Sequence, residues 1–473
     1  MEERKMVGQW WLPGDPENSV GGTLYIDSSG ESSLELAGVL YRPGERTISE
    51  GVVRITEQSD PQKVVFGAAD GKFVTLIDVI ATGSSENWGP QAFTSHQILK
   101  PAAVVVGIHL NSPEEALFNG IDVEIDNLTA WSGITGIRTR YEVDRFRVSG
   151  YDIGIPEEIS ANVADLTLKL KWKCSSTRHV RSKIGGNEIW AQESVFLRIE
   201  GSGEVPWNYF HPTLKSFQDL LTLATRYPCS IRQKRLIRKD SSGNIKNFDL
   251  FHRGSVEAQV DGKVRGDKFL FWMQDRDFQS LLDSWVPLHR NVGLAIHILF
   301  GLDYDRRQYF ENQLFNVVST AEALHRTLFP NAVGIPVEEH RGIVRAIEGV
   351  IADKGHREWV KGRLRNDPGF KDRLLELAKI PDQEAVLYLL TDVDRWAKWV
   401  RDARNSLAHL DEAKLLKIPE GARYRLVHVT SALMHLVLLE KLGISAEHQR
   451  RAVHDVYGYS ARRFKEEVLK CIN

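Results

Sequence analysis

The stretch RDARNSLAHLDEAK, residues 401–414, sets Arg404 and Asn405 five and four positions ahead of His409. An arginine can grip a phosphate through two parallel N–H···O bonds, and a histidine can give or take a proton near neutral pH. Together these residue types suit chemistry at a phosphodiester. A cationic pair near a helix C-terminus also interacts favourably with the helix dipole and needs no substrate, so spacing alone leaves both readings open. Arginine followed by histidine with four to six residues between occurs three times, at Arg290/His297, Arg404/His409 and Arg423/His428.

The elements that must hold these pairs separate them. His428 falls in ARYRLVHVTSALMHLVLLEKL and His297 in VGLAIHILFGL, both strongly apolar runs, so both histidines are expected to be packed inside helices. The third pair differs. Val393, Trp396, Val400, Ala403 and Leu407 recur at three- and four-residue steps and mark a buried stripe, leaving Arg401, Arg404, Asn405 and Ala408 off its centre. Five residues along a helix turn a side chain by about 140°. Arg404 and His409 therefore converge only if the helix ends near His409, or if a second subunit supplies the complementary half.

Other chemistries lack their residues. There is no GxxxxGK[ST], Rossmann glycine fingerprint, HExxH or GxSxG, and no spaced Cys/His ligand set, so no metal and no cofactor is expected. The three cysteines, Cys174, Cys229 and Cys471, are too dispersed for a disulfide framework and fit a reducing compartment. A net charge of −2 excludes a strongly basic, non-specific nucleic-acid binder without excluding a local phosphate site. The N-terminal MEERKMVGQWW is charged where a signal peptide is apolar, and SALMHLVLLEKLGI is too short and interrupted to span a bilayer. The expectation is a soluble cytoplasmic protein with no membrane partner.

At 473 residues the chain is expected to hold two or three domains. Residues 1–200 are short β-type runs broken by turn signals such as DSSGE, RPGER, AADGK and KIGGN. LTLKLKWKC sets Leu166, Leu168, Leu170 and Trp172 on one face of a half-buried strand. This region reads as a β-sandwich or barrel. Residues 201–285 are a mixed continuation, with a helix in HPTLKSFQDLLTLATRY and a hairpin in SIRQKRLIRKDSSGNIKNFDLFHRG. Helical periodicity then governs residues 290–473, an all-α bundle whose stretch DQEAVLYLLTDVDRWAKWVRDARNSLAH reads as one element. The fold class is α+β multidomain.

RNSLAH, at the end of a long helix and ahead of a polar stretch, resembles the R-φ-x-x-x-H signature of HEPN ribonuclease domains. The whole chain, with a β-rich region of nearly 300 residues opening GQWWLPGD…GGTLYID, resembles the ApeA family. That resemblance implies single-gene antiphage defence by abortive infection. A HEPN endoribonuclease would cut RNA through metal-independent attack of the substrate's own 2′-hydroxyl. It implies His409 as general acid/base, Arg404 on the phosphate, Asn405 orienting one or the other, and Glu322 as the acidic residue of an early helix orienting Arg404 or a neighbour. It further implies a homodimer, or a higher homo-oligomer, with two motifs facing each other, and a phage-derived trigger sensed by the N-terminal region. Arg401, Arg462 and Arg463 are weaker candidates for RNA contact; a helix covering the bundle edge explains the last two as well. The basic stretch 231–239 is expected to be a solvated strand face, and Trp10 and Trp11 to be core or a partner-facing patch. The alternative is a non-catalytic HEPN-like binding or scaffold module.

Overall fold

In the computed structural model, the described residues run from 3 to 471, except 42–45, 50–51, 56–61, 89–92, 143–146, 177–180, 184–185, 189, 255–264, 305–307 and 410–414. The chain divides into two compact units: Met1–Thr222 with Tyr227–Val264, and Leu223–Arg226 with Arg265–Asn473.

The first unit is β-rich. Its strands are β1 (Arg4–Trp11), β2 (Val20–Ile26), β3 (Ser32–Leu36), β4 (Arg46–Ser49), β5 (Val52–Ile55), β6 (Gln62–Ala69), β7 (Lys72–Trp88), β8 (Phe93–Val106) and β9 (Phe118–Ile125). These are followed by β10 (Ile137–Glu142), β11 (Arg147–Ile153), β12 (Ile159–Val163), β13 (Leu166–Ser176), β14 (Arg181–Lys183), β15 (Gly186–Glu188), β16 (Ala191–Val205), β17 (Ile231–Lys239) and β18 (Ile245–His252). Twelve of them form one sheet in the order β12-β13-β16-β9-β17-β18-β8-β3-β2-β1-β6-β7, and a further β7–β8 pairing closes six of these into a barrel. Closure removes the free edge at β7, while β12 stays at the other end of the sheet with β13 as its one neighbour among the described residues. The barrel is filled by Trp10, Leu24, Leu34, Leu36, Leu76, Leu99 and Val104. Trp10 thus belongs to the core and offers no partner-facing ring. Gly67 on β6 is required by it, since a Cβ there would lie 2.3 Å from the Trp10 ring. Along β13 the alternation holds: Leu166, Leu168, Leu170 and Trp172 are buried and the lysines between them are not.

Two helices accompany the sheet, α1 (Leu128–Ser132) and α2 (His211–Thr225). The hairpin read in the basic stretch is β17–β18, joined through Gly243 at φ +81°. Its basic face is not uniformly solvated. Arg232 and Lys239 are exposed, but Lys234 lies two residues before Leu236 on the inward-facing side of the strand and is buried.

The second unit is helical: α3 (Phe278–Tyr304), α4 (Phe310–Leu328), α5 (Val337–Val350), α6 (Lys354–Lys361), α7 (Phe370–Ala378), α8 (Gln383–Leu390), α9 (Val393–His409), α10 (Glu420–Lys441), α11 (Ala446–Asp455) and α12 (Gly458–Lys470). The stretch read as one helix from residue 383 is two. Thr391 adopts φ +61° and Asp392 caps the new helix by accepting the Arg395 N–H at 2.9 Å. α10 is central: from Leu426 to Leu439 every residue but His428 and Ser431 is buried.

Neither apolar-run histidine is packed inside. On α10 the solvent-facing line is Gly421, Tyr424 and His428, and on α3 Leu294 and His297 are exposed between the buried Val292, Ala295, Ile296, Leu299 and Phe300. A helix that looks apolar throughout still keeps one line outward at three- and four-residue steps. Both histidines occupy that line.

Candidate active site

α9 takes its position from Trp396, Ala397, Trp399, Val400, Ala403 and Ser406, which are buried. Val393 and Leu407, assigned to the stripe from sequence, are only half-buried, and Ser406 takes the last buried place. Inside, the Trp396 indole donates to the Thr430 hydroxyl of α10 at 3.0 Å, which fixes the rotation of α9 about its own axis. That rotation leaves Arg404 and Asn405 half-buried and Ala408 and His409 exposed at the end of the helix. The polar stretch that follows, 410–414, lies outside the described residues.

The neighbouring cations of α9 and α4 are neutralised locally. Arg401 donates to the Asp402 carboxylate at 2.7 Å, and Arg326 donates to Glu322 at 2.8 Å. Arg404 has no carboxylate partner among the described residues. Its guanidinium donates to the Asn405 side-chain oxygen at 3.3 Å and sits 5.9 Å from the Phe370 ring centre, at the start of α7. His409 makes no hydrogen bond or ion pair among the described residues. A cation held by a neutral amide and a ring face keeps its charge available to an anion.

Glu322 stands on α4, which packs against both α7 and α9. Its carboxylate accepts from Arg326 one turn later and makes no contact with Arg404 among the described residues. Beneath this face α4 and α7 are joined by a buried polar group that sequence reading did not single out. His325 sits between Glu376, 2.5 Å from Nε2, and Arg373, 3.3 Å from Nδ1. Arginine can only donate, so Nδ1 is the acceptor and Nε2 carries the proton toward Glu376. The available signal was a histidine at a buried helical position, in step with Ala321 and Leu324.

The other candidates scatter. Arg462 and Arg463 are exposed on α12, away from the buried face of Ala461, Phe464 and Val468. Arg463 pairs with Glu466 at 2.9 Å and lies 5.8 Å from the Tyr459 ring, which also takes Arg425 at 5.1 Å. On β17, Arg232 is held by Asp126, Arg235 approaches Asp249 at 3.7 Å and Lys239 approaches Glu200 at 3.5 Å.

A second buried polar group of the helical unit also escaped the sequence reading. Arg226, in the left-handed region at φ +60°, donates both ends of its guanidinium to Asp303 of α3 at 2.6 Å. It also donates to His435 Nε2 at 3.3 Å, which leaves Nδ1 to donate to the Tyr457 hydroxyl at 3.0 Å. Burial first, and then the Arg226 charge, push the His435 imidazole down to about 3, so it is neutral. Burial raises the Tyr457 hydroxyl. These residues stand far apart in sequence, and only the fold brings them together.

A family model described as ApeA N-terminal domain 1 matches residues 5–285, and one described as Apea-like HEPN matches residues 315–448. The second match contains Glu322, Arg401, Arg404, Asn405 and His409. No curated protein and no solved structure matches the chain. Among the described residues, no helix is long and apolar enough to cross a membrane.

Proposed function

The chain belongs to the ApeA family, and from that premise we propose that it is an antiphage-defence endoribonuclease that acts in the cytoplasm as a homodimer or higher homo-oligomer, with Arg404 and His409 as its catalytic residues. The observation that carries this reading is an Arg404 guanidinium that no carboxylate neutralises among the described residues, on the same helix as an exposed His409 that has no partner among them. A dipole-compensating pair would need neither its amide partner nor freedom from carboxylates.

The chemistry follows from what the substrate brings. An RNA 2′-hydroxyl stands next to the scissile phosphate, so the protein need only move protons and stabilise charge. His409 takes the 2′-hydroxyl proton or protonates the leaving 5′-oxygen. Arg404 holds the phosphate oxygens as negative charge grows on them. Asn405 is a positioning residue, its amide oxygen fixing one end of the Arg404 fork. Along α9 the two catalytic residues are separated by about 7.5 Å of rise and about 140° of rotation. Two copies facing each other across an interface can each complete the other's site. The β-rich unit, matched by its own family model, is the part that restrains the nuclease and responds to a phage component. Such a trigger must bind the active arrangement more tightly than the resting one.

The test is to express the wild type and His409→Ala with and without phage and to sequence RNA ends. Wild type should produce new ends bearing 2′,3′-cyclic or 3′-phosphate, insensitive to chelation, and His409→Ala should produce none. Cleavage that survives in His409→Ala, or ends bearing 3′-hydroxyls, would replace this reading with the scaffold-module alternative or a different mechanism.

A further inference from the structure

Lys234 is 4% exposed, on the inward face of β17, and no carboxylate neutralises it among the described residues. Its ammonium donates to the backbone carbonyl of His252, on β18, at 3.2 Å, which leaves two N–H groups to place. Around it stand three further nitrogen-bearing side chains. The rings of His211 and His252 have centres 4.9 Å apart, and the Trp207 indole lies 5.1 Å from the first and 5.9 Å from the second. Trp207 is 5% exposed and its Nε1–H has no acceptor among the described residues; the buried Nε2 of His211 has no partner there either. His211 opens α2, a helix of 15 residues whose positive dipole end is therefore at the same place. Every element contributes a donor or a positive end. Among the described residues, none contributes an acidic group.

This is the inverse of how proteins satisfy buried cations, which are paired or neutralised. Burial, then His252 and the Lys234 charge, hold the His211 imidazole down to about 3; burial and the Lys234 charge hold His252 down to about 4, and burial lowers Lys234 to about 8. All three directions are those of basic groups gathered without a counter-charge, and a bound anion would reverse them. A cation is excluded by the same field. His211 and His252 are each partly exposed, so solvent reaches the edge of the group. The donors come from four places in the chain, β17, β18, the start of α2 and the segment before it, and a phosphate with three outer oxygens offers them more acceptors than the two of a carboxylate.

We infer that Lys234, His211, His252 and Trp207 form a phosphate-binding site in the β-rich unit, taking a free phosphate or the terminal phosphate of a nucleotide. The inference stands independently of the nuclease reading, since it uses no residue of α9. It gives the β-rich unit a small anionic ligand of its own.

The test follows the ring resonances of His211 and His252 in the full-length protein at neutral pH while inorganic phosphate, a nucleoside 5′-monophosphate or the parent nucleoside is added. Phosphate and the nucleotide should each move both resonances with saturation, and the nucleoside should not. Tighter saturation by the nucleotide identifies a nucleotide ligand, and equal saturation identifies free phosphate; either outcome supports the site. Lys234→Met and, separately, His211→Gln should each weaken binding at least tenfold. Resonances unmoved by both phosphate and nucleotide would show that solvent alone satisfies these groups, and the site would be abandoned. Undiminished binding in both variants would overturn it equally, by placing the ligand elsewhere.

Discussion

Replacing Lys234 by Met should stabilise the β-rich unit at neutral pH and destabilise it in strong alkali. Burial lowers the folded-state pKa of Lys234 to about 8 from an ordinary 10.5. The unfolded chain therefore binds the proton more tightly than the folded one, and the charge opposes folding. The penalty is fully present below pH 8 and fades as the pH rises through 10.5, because there neither state carries the proton. A tenfold difference in proton affinity between the two states corresponds to about 1.4 kcal/mol, so the charge costs the fold about 3 kcal/mol at pH 7. Against this, Met leaves the His252 carbonyl without its donor, at a cost of about 1 kcal/mol. The net gain at pH 7 is about 2 kcal/mol, turning into a loss of about 1 kcal/mol near pH 11. Urea unfolding at the two pH values, read on the transition of the β-rich unit, measures both signs. The two units can unfold separately, so that transition must be resolved. A variant less stable at pH 7, or equally shifted at both pH values, would refute the argument that Lys234 is an uncompensated buried charge. Phosphate, at a concentration that saturates the wild type, should narrow the gap, since it stabilises the wild type more than the variant.

Arg404→Lys should lower the rate of RNA cleavage by about a hundredfold despite keeping the charge, because the fork held by Asn405 is lost; Asn405→Ala should fall between wild type and that variant in single-turnover assays. His297→Ala and His428→Ala should leave both cleavage and melting temperature near wild type, since each lies on an exposed helical line; abolished cleavage in either would mean that the wrong Arg/His pair has been chosen. Asp303→Asn strands the Arg226 charge and should cost about 3–5 kcal/mol in the unfolding of the helical unit. The same unit should lose stability in acid. His435 is held at about 3 in the fold against 6.5 when unfolded, so its contribution is complete above pH 6.5 and is lost as the pH falls toward 3. Denaturation midpoints independent of pH across that range would contradict the assigned neutral imidazole.

Where a property depends on residues close in sequence, the chain declares it. β13 alternates with period two, the hairpin β17–β18 turns through Ser-Ser-Gly, and the helical half repeats at three and four, so the order of β-rich and helical regions is legible without coordinates. RNSLAH is equally local, and the family models that match the chain cover both halves. Tertiary structure decided what depends on distant neighbours. Trp10 became barrel core because β7 returns to pair with β8 and closes the wall around it. His428 and His297 went outward because a helix packed on most of its circumference still leaves one line to solvent, and sequence does not say which. Among the described residues Arg404 lacks a carboxylate while Arg401 and Arg326 have theirs, a distinction made by side-chain reach within the folded bundle. Lys234 looked like one of five equivalent cations along a strand. Among the described residues it alone of the five is buried without a counter-charge, because a strand's two faces meet different surroundings and only packing determines what each face meets.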